Sequence, residues 1–145
     1  FHPTQGQGVA ADRESVYWLN VLSIRPIREG DTGNNLHLAF RTRIKLFLRP
    51  EMLVPPGQPL VWRLLSRQPL LLEARNDSAY HVTLAQVTAR AAGVEYRNDD
   101  PPMIAPKTTL TLALRGPFTP AGSPLVLWFS TLDDNGIARH HEQAL

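Results

Sequence analysis

The chain has no cysteine in its 145 residues, which removes disulfides, thiolate nucleophiles and cysteine-ligated zinc together. That absence suits a reducing or an oxidising compartment equally. No apolar run approaches the roughly 20 residues of a membrane-spanning helix. Net charge is small as well, at +2, so bulk electrostatics demands no nucleic-acid partner. Glycine is sparse at nine against thirteen prolines. Proline is excluded from helix interiors and punctuates strands, which favours an all-β chain rich in turns. Enough is left to build a core: 43% of the residues are hydrophobic, and disorder is not expected over most of the chain. The length fits one ordinary domain, or one small domain with part of another.

Catalytic and cofactor chemistry is sought and not found. Gly6 to Ala11 fits the loose dinucleotide pattern G-x-G-x-x-A. That pattern needs a hydrophobic strand before it and a helix opening at it, and here it sits in a loop-like segment with no βαβ unit following. Phe1 to Glu14 also lacks the charged start and apolar centre of a signal peptide. The histidines are His2, His37, His81, His140 and His141. Adjacent His140 and His141 on a strand point to opposite faces, so a shared metal ion is not expected, nor any other metal or cofactor. Asp99-Asp100 and Asp133-Asp134 fall in turn contexts, where aspartate bonds its own backbone. No G-x-S-x-G elbow and no phosphate-binding loop occurs. The chain is not expected to be an enzyme.

Most of the information lies in Asn35 to Pro50, which reads NLHLAFRTRIKLFLRP. Leu36, Leu38, Phe40, Ile44, Leu46 and Leu48 share one parity, and His37, Arg41, Arg43, Lys45 and Arg49 the other. Side chains alternate across a strand, so one face is apolar and the other basic. No acidic residue lies between Asp31 and Glu51 to neutralise that face. Upstream, Val16 to Ile24 is apolar on both parities and reads as a strand covered on both faces. Arg28 to Asn34 is a turn-rich connection between the two strands.

A proline-rich break over residues 50–59 then marks a domain boundary, giving domains 1–50 and 51–145. Short strands are expected at Leu60–Leu65, Leu70–Arg75, Tyr80–Thr88, Thr108–Arg115, Leu125–Leu132 and Ile137–Gln143, with turn residues between them. Six or seven such strands in this length indicate an immunoglobulin-like β-sandwich, with Trp62 and Trp128 as core aromatics.

Several segments resemble one family, the PapD-like periplasmic chaperones of the chaperone–usher pathway that assemble pili (fimbriae). Asp12 to Asn20 resembles the family's D-R-E-S-(L/V)-(F/Y)-W-L-N stretch. Asn35 to Pro50 resembles its last N-domain strand, L-x-(I/L)-A-(I/L)-R-(S/T)-R-I-K-L-(F/Y)-(Y/L)-R-P. Asn76 to Leu84 is similar to N-P-(S/T)-P-(Y/F)-Y-(V/I)-T-(L/F). Met103 to Lys107 is similar to the M-(I/V)-x-P-(K/F) turn, and Asp133 to Gly136 to N-D-(Y/F)-G. The resemblance implies an immunoglobulin-like C-terminal domain plus the last two strands of a truncated immunoglobulin-like N-terminal domain. More strands and a signal peptide are then expected upstream of Phe1.

By the same resemblance the protein is a periplasmic chaperone. It folds and caps pilus subunits by donor-strand complementation, a form of β-strand addition, and delivers them to an outer-membrane usher. Leu36, Leu38, Phe40 and Ile44 would enter the subunit's groove, and Lys45 would bind its C-terminal carboxylate. Glu14, Arg49 and Asp134 match the family's interdomain salt bridge. Residues 1–11 offer no stand-in for the arginine that partners the lysine in the family. The 28–34 connection resembles the short-loop branch serving rod-like pili.

In a regular strand Lys45 lies opposite Leu38 and Phe40. Either a bulge intervenes, or Lys45 serves a different surface. Alone, two uncovered strands are expected to self-associate. The alternative is a structural or adhesive immunoglobulin-like module without chaperone activity.

Overall fold

The computed structural model describes residues 10–24, 38–54, 57, 60–117 and 122–145. Several sequence readings lie outside the described residues: the Gly6–Ala11 pattern (all but its last two residues), the 28–34 connection, His2, His37 and Leu36. Every regular element among the described residues is a strand, so the chain is all-β. It divides into two compact units, Phe1–Glu51 and Met52–Leu145.

The first unit pairs β1 (Ser15–Ile24) with β2 (Ala39–Leu48) antiparallel, over ten unbroken pairs from Ser15–Leu48 to Ile24–Ala39. Both are twice the usual strand length of about five residues. Val16–Ile24 was expected to be covered on both faces, yet Tyr17, Trp18, Leu19, Val21, Leu22 and Ile24 are all exposed. The reason is geometric. Among the described residues this unit is a single two-stranded layer, and one layer has nothing to pack its faces against.

The second unit is an immunoglobulin-like sandwich of seven strands: β3 (Val61–Arg67), β4 (Leu70–Asn76), β5 (Thr83–Ala91), β6 (Val94–Asn98), β7 (Thr108–Leu114), β8 (Leu125–Leu132) and β9 (Ala138–Ala144). They form a three-stranded sheet, β3-β4-β7, and a four-stranded sheet, β6-β5-β8-β9. Alternation builds the layer between them. Leu70, Leu72, Ala74, Leu112 and Leu114 come inward from one sheet, and Val87, Ala89, Ala91, Leu125, Leu127 and Phe129 from the other.

Two bulges adjust the alternation. In β5 the register shifts between Leu84 and Gln86, so buried positions change from even (Val82, Leu84) to odd (Val87, Ala89). In β3 the shift lies between Leu64 and Ser66 and leaves Leu65 exposed.

Strand ends differ from the sequence reading by at most three residues, and one strand was missed. β6 follows a two-residue turn at Ala92-Gly93 that joins the Ala91–Val94 pair. Both turn residues have positive φ, 49° and 77°, as a type I′ hairpin requires. Alanine hid the turn, since Asn-Gly or Asp-Gly is its usual signature.

The core aromatics also need correction. Trp62 is buried and packs against Phe129 with ring centroids 5.2 Å apart. Trp128 faces outward instead, because its neighbours Leu127 and Phe129 hold the inward parity. Tyr96 and Phe129 take the places the sequence reading gave to it.

Candidate functional site

β2 carries the candidate site, and its pairing with β1 separates two faces. Phe40, Thr42, Ile44, Leu46 and Leu48 stand opposite Ser23, Val21, Leu19, Tyr17 and Ser15. Cross-strand partners share a face, so this side is mainly apolar, with Thr42, Ser23 and Ser15 as its polar members. It is open as well: Leu38 is 56% and Phe40 66% exposed, and Ile44, Leu46 and Leu48 are exposed with them. Among the described residues β2 pairs on one edge only, and its other edge of backbone N–H and C=O groups meets no strand. A strand that is both apolar on one face and open along one edge is suited to pairing with another chain.

The other face holds Arg41, Arg43, Lys45 and Phe47 opposite Leu22, Asn20, Trp18 and Val16. The ten pairs run without a shift, so no bulge turns Lys45 toward Phe40. Of the two alternatives the sequence leaves, the structure selects the separate surface. There Lys45 lies beside an aromatic ring: Arg43 Cζ is 3.8 Å from the Trp18 ring centroid and Lys45 Nζ is 5.4 Å from it. Such cation–π contacts contribute about 0.5–1 kcal/mol at exposed sites. They also orient the two cations. Sequence reasoning missed Trp18, because only the register places residue 18 across from residue 45.

Glu14 and Arg49 flank the ends of β1 and β2 and meet just beyond the Ser15–Leu48 pair. Arg49 Nε and Nη2 both donate to Glu14 Oε1, at 3.1 and 2.8 Å. The Glu14 side chain is only 2% exposed while that of Arg49 is 38% exposed, so this is more than a solvated surface pair. Burying the carboxylate makes its partner costly to remove. The pair lies wholly within the first unit.

Asp134 belongs to the second unit, in the turn between β8 and β9. Asp133 shapes that turn, its Oδ1 accepting from the backbone N–H of Asn135 and of Ile137, each at 3.0 Å. The Ile137 bond is the main reason its carboxyl sits below the ordinary aspartate range, with the Asn135 bond and then Arg139 assisting. No group of three or more metal-ligating His, Asp or Glu side chains occurs among the described residues.

The described residues thus combine an immunoglobulin-like sandwich with a separate two-stranded ribbon, one strand of which is amphipathic and open along one edge. The comparisons narrow this further. The profile of the pili and flagellar-assembly chaperone PapD N-terminal domain matches residues 2–54, and that of the pili assembly chaperone PapD C-terminal domain matches residues 44–143. The chain belongs to the PapD-like pilus-chaperone family.

Among its relatives is Chaperone protein FimB/FhaD of Bordetella pertussis, 34% identical over 137 residues, covering 91% of this chain and 53% of that protein. The probable fimbrial chaperone YadV of Escherichia coli K12 is 34% identical over 141 residues, covering 92% and 57% respectively. A crystal structure of a YadV chaperone superposes with a TM-score of 0.77 at 32% identity, covering 96% of this chain and 66% of that one. A Salmonella enterica SafB chaperone, solved in complex with SafA pilin, shares the fold at a TM-score of 0.67 and 20% identity, covering 97% and 62%. The chain thus spans a little over half the length of the curated relatives described here.

Proposed function

We propose that this protein is a non-enzymatic periplasmic chaperone that binds, folds and caps pilus subunits and passes them to an outer-membrane usher. In this reading residues 1–50 are the end of an N-terminal immunoglobulin-like domain and residues 51–145 the C-terminal one. β2 is the lent strand: Leu36, Leu38, Phe40 and Ile44 enter an apolar groove in the subunit, while its backbone completes the subunit's sheet.

The observation that carries the proposal is the exposure of Phe40 and Ile44 on one face of a strand whose far edge is open, with Leu38 exposed just before it. Burying each such side chain in a groove contributes roughly 1.5–3 kcal/mol before ordering costs. Pairing the edge also removes a template for aggregation.

Lys45, on the opposite face, is assigned to a different part of the subunit, its C-terminal carboxylate. A hydrogen bond to a charged group contributes about 1.5–3 kcal/mol. The Arg43–Trp18–Lys45 arrangement supports this, since it holds two cations on one face, Arg43 exposed and Lys45 half-buried. Glu14, Arg49 and Asp134 are proposed to fix the two domains relative to each other.

Co-expression with a candidate pilin tests the proposal. Leu38→Arg places a charge on the apolar face, and Lys45→Ala removes the anchoring ammonium. Each is expected to lower the amount of co-purified subunit at least about tenfold, equivalent to about 1.4 kcal/mol. Retention of the subunit by both variants at the wild-type level overturns it.

A further inference from the structure

The outer face of the β6-β5-β8-β9 sheet bears a groove of about 400 Å³ that the proposed function does not use. Its floor is built by strand alternation. Gln86, Thr88 and Arg90 of β5 stand opposite Ser130, Trp128 and Val126 of β8, and Ser130 and Trp128 stand opposite His140 and Glu142 of β9. Odd positions of β5 and β8 fill the core, so these side chains have only the outer face to occupy. A partly exposed tryptophan at the centre of an otherwise polar sheet face is what sets this surface apart.

The groove's polar groups are held in place by one another. Trp128 Nε1 donates to Glu142 Oε2 at 3.0 Å, and Arg90 Nη2 to Glu95 Oε2 at 3.2 Å. Ser130 Oγ lies 2.8 Å from His140 Nδ1, and Gln86 Nε2 donates to Thr88 Oγ1 at 3.4 Å. Each carboxylate, hydroxyl and amide keeps further lone pairs or protons for a ligand. All of them stand on strands rather than loops, so the arrangement is rigid before anything binds.

Charge selects the class of ligand. Arg90 is already paired with Glu95, and Glu142, beside the groove, with the Trp128 indole, so these ionised side chains are engaged and an anion gains little from them. A cation gains little, because the Arg90 guanidinium already lies 5.6 Å from the Trp128 ring centroid. A neutral molecule with one apolar face and a rim of hydroxyls satisfies both the indole and the surrounding donors and acceptors. That description fits a pyranose ring. The volume lies within the range of about 300–1,000 Å³ typical of small-molecule sites and accommodates a short oligosaccharide.

We propose that this face, centred on Trp128 with Thr88, Ser130 and Glu142, binds a neutral oligosaccharide. The site is independent of strand donation by β2 and stands or falls separately from it.

Nuclear magnetic resonance of the uniformly 15N-labelled chain tests it directly, because the three tryptophans, Trp18, Trp62 and Trp128, give separate indole N–H signals. The probes are cellotetraose, maltotetraose and tri-N-acetylchitotriose at millimolar concentration. At least one is expected to shift the Trp128 indole saturably while the Trp18 and Trp62 signals hold still. Trp128→Ala removes the platform and Thr88→Arg fills the groove from the adjacent strand. Each is expected to weaken binding, read from backbone amides of β5 and β8, by at least about tenfold.

The proposal is overturned if no probe moves Trp128 selectively, or if the variants bind as wild type. It is also overturned if inorganic phosphate or a proline-rich peptide gives the selective shift and the sugars do not.

Discussion

Asn76 has no exposed surface, and its side chain ties together two segments far apart in sequence. Nδ2 lies within hydrogen-bond distance of three carbonyls, those of Tyr80 (2.7 Å), Ala105 (2.9 Å) and Ile104 (3.3 Å). Oδ1 accepts from the Ser78 N–H and hydroxyl at 3.1 and 2.7 Å. The Val82–Ile104 bridge and the bond from Lys107 N to Ser78 O lie alongside. Both segments carry family-like motifs, which acquire a physical reason here: one buried amide satisfies the backbone of two turns. Each buried polar group left without a partner costs about 1–3 kcal/mol. Asn76→Ala is therefore expected to lower the stability of the second unit by about 3 kcal/mol or more, seen as a fall in the urea midpoint at unchanged slope. Asn76→Asp keeps the acceptor but loses the donors, and is expected to be no milder.

At the scale of elements, the β5–β6 hairpin contains an unfavourable residue choice. Ala92 sits at φ 49°, a left-handed conformation that costs an L-residue with a Cβ about 1–2 kcal/mol. Asparagine tolerates it, and Asn-Gly is the preferred pair for this turn. Ala92→Asn is expected to stabilise the second unit by about 1 kcal/mol and raise its melting temperature by several degrees, checked by thermal denaturation. A lower melting temperature counts against the turn assignment.

This hairpin also explains why β6 was not legible in the sequence. Its turn lacks the usual asparagine, and five residues are too few for a clear alternation. The bulge in β5 has the same effect, since it reverses the parity between Leu84 and Val87. β8 escaped both problems and was placed to the residue, although its most conspicuous side chain, Trp128, was placed on the wrong face. Residue type suggested burial, but the inward parity of Leu125, Leu127 and Phe129 decided it.

At the scale of the whole molecule, the two units contrast in how they treat apolar side chains. The sandwich encloses most of its own, while the β1–β2 ribbon leaves large ones exposed on both faces. Monomeric proteins rarely leave apolar patches of that extent uncovered. The isolated chain is expected to associate in a concentration-dependent way through the ribbon. Sedimentation velocity across a concentration series checks this, and Phe40→Glu combined with Leu46→Glu is expected to shift the population toward monomer. A wild-type chain that stays monomeric, with β1 and β2 amides protected from exchange, contradicts it.

What the sequence determined by itself was everything encoded in local order: an all-β chain, most strands of the sandwich, and a strand within Asn35 to Pro50 with one apolar and one basic face. Alternation, proline and turn residues are local signals, and they survive without knowledge of neighbours. Tertiary structure alone decided the rest. It paired Lys45 with Trp18 across an unbroken register, buried Glu14 against Arg49, turned Trp128 outward and used Asn76 as a clamp. Each of these depends on which strand lies beside which, and that contact is made between residues whose separation in the chain carries no signal of it.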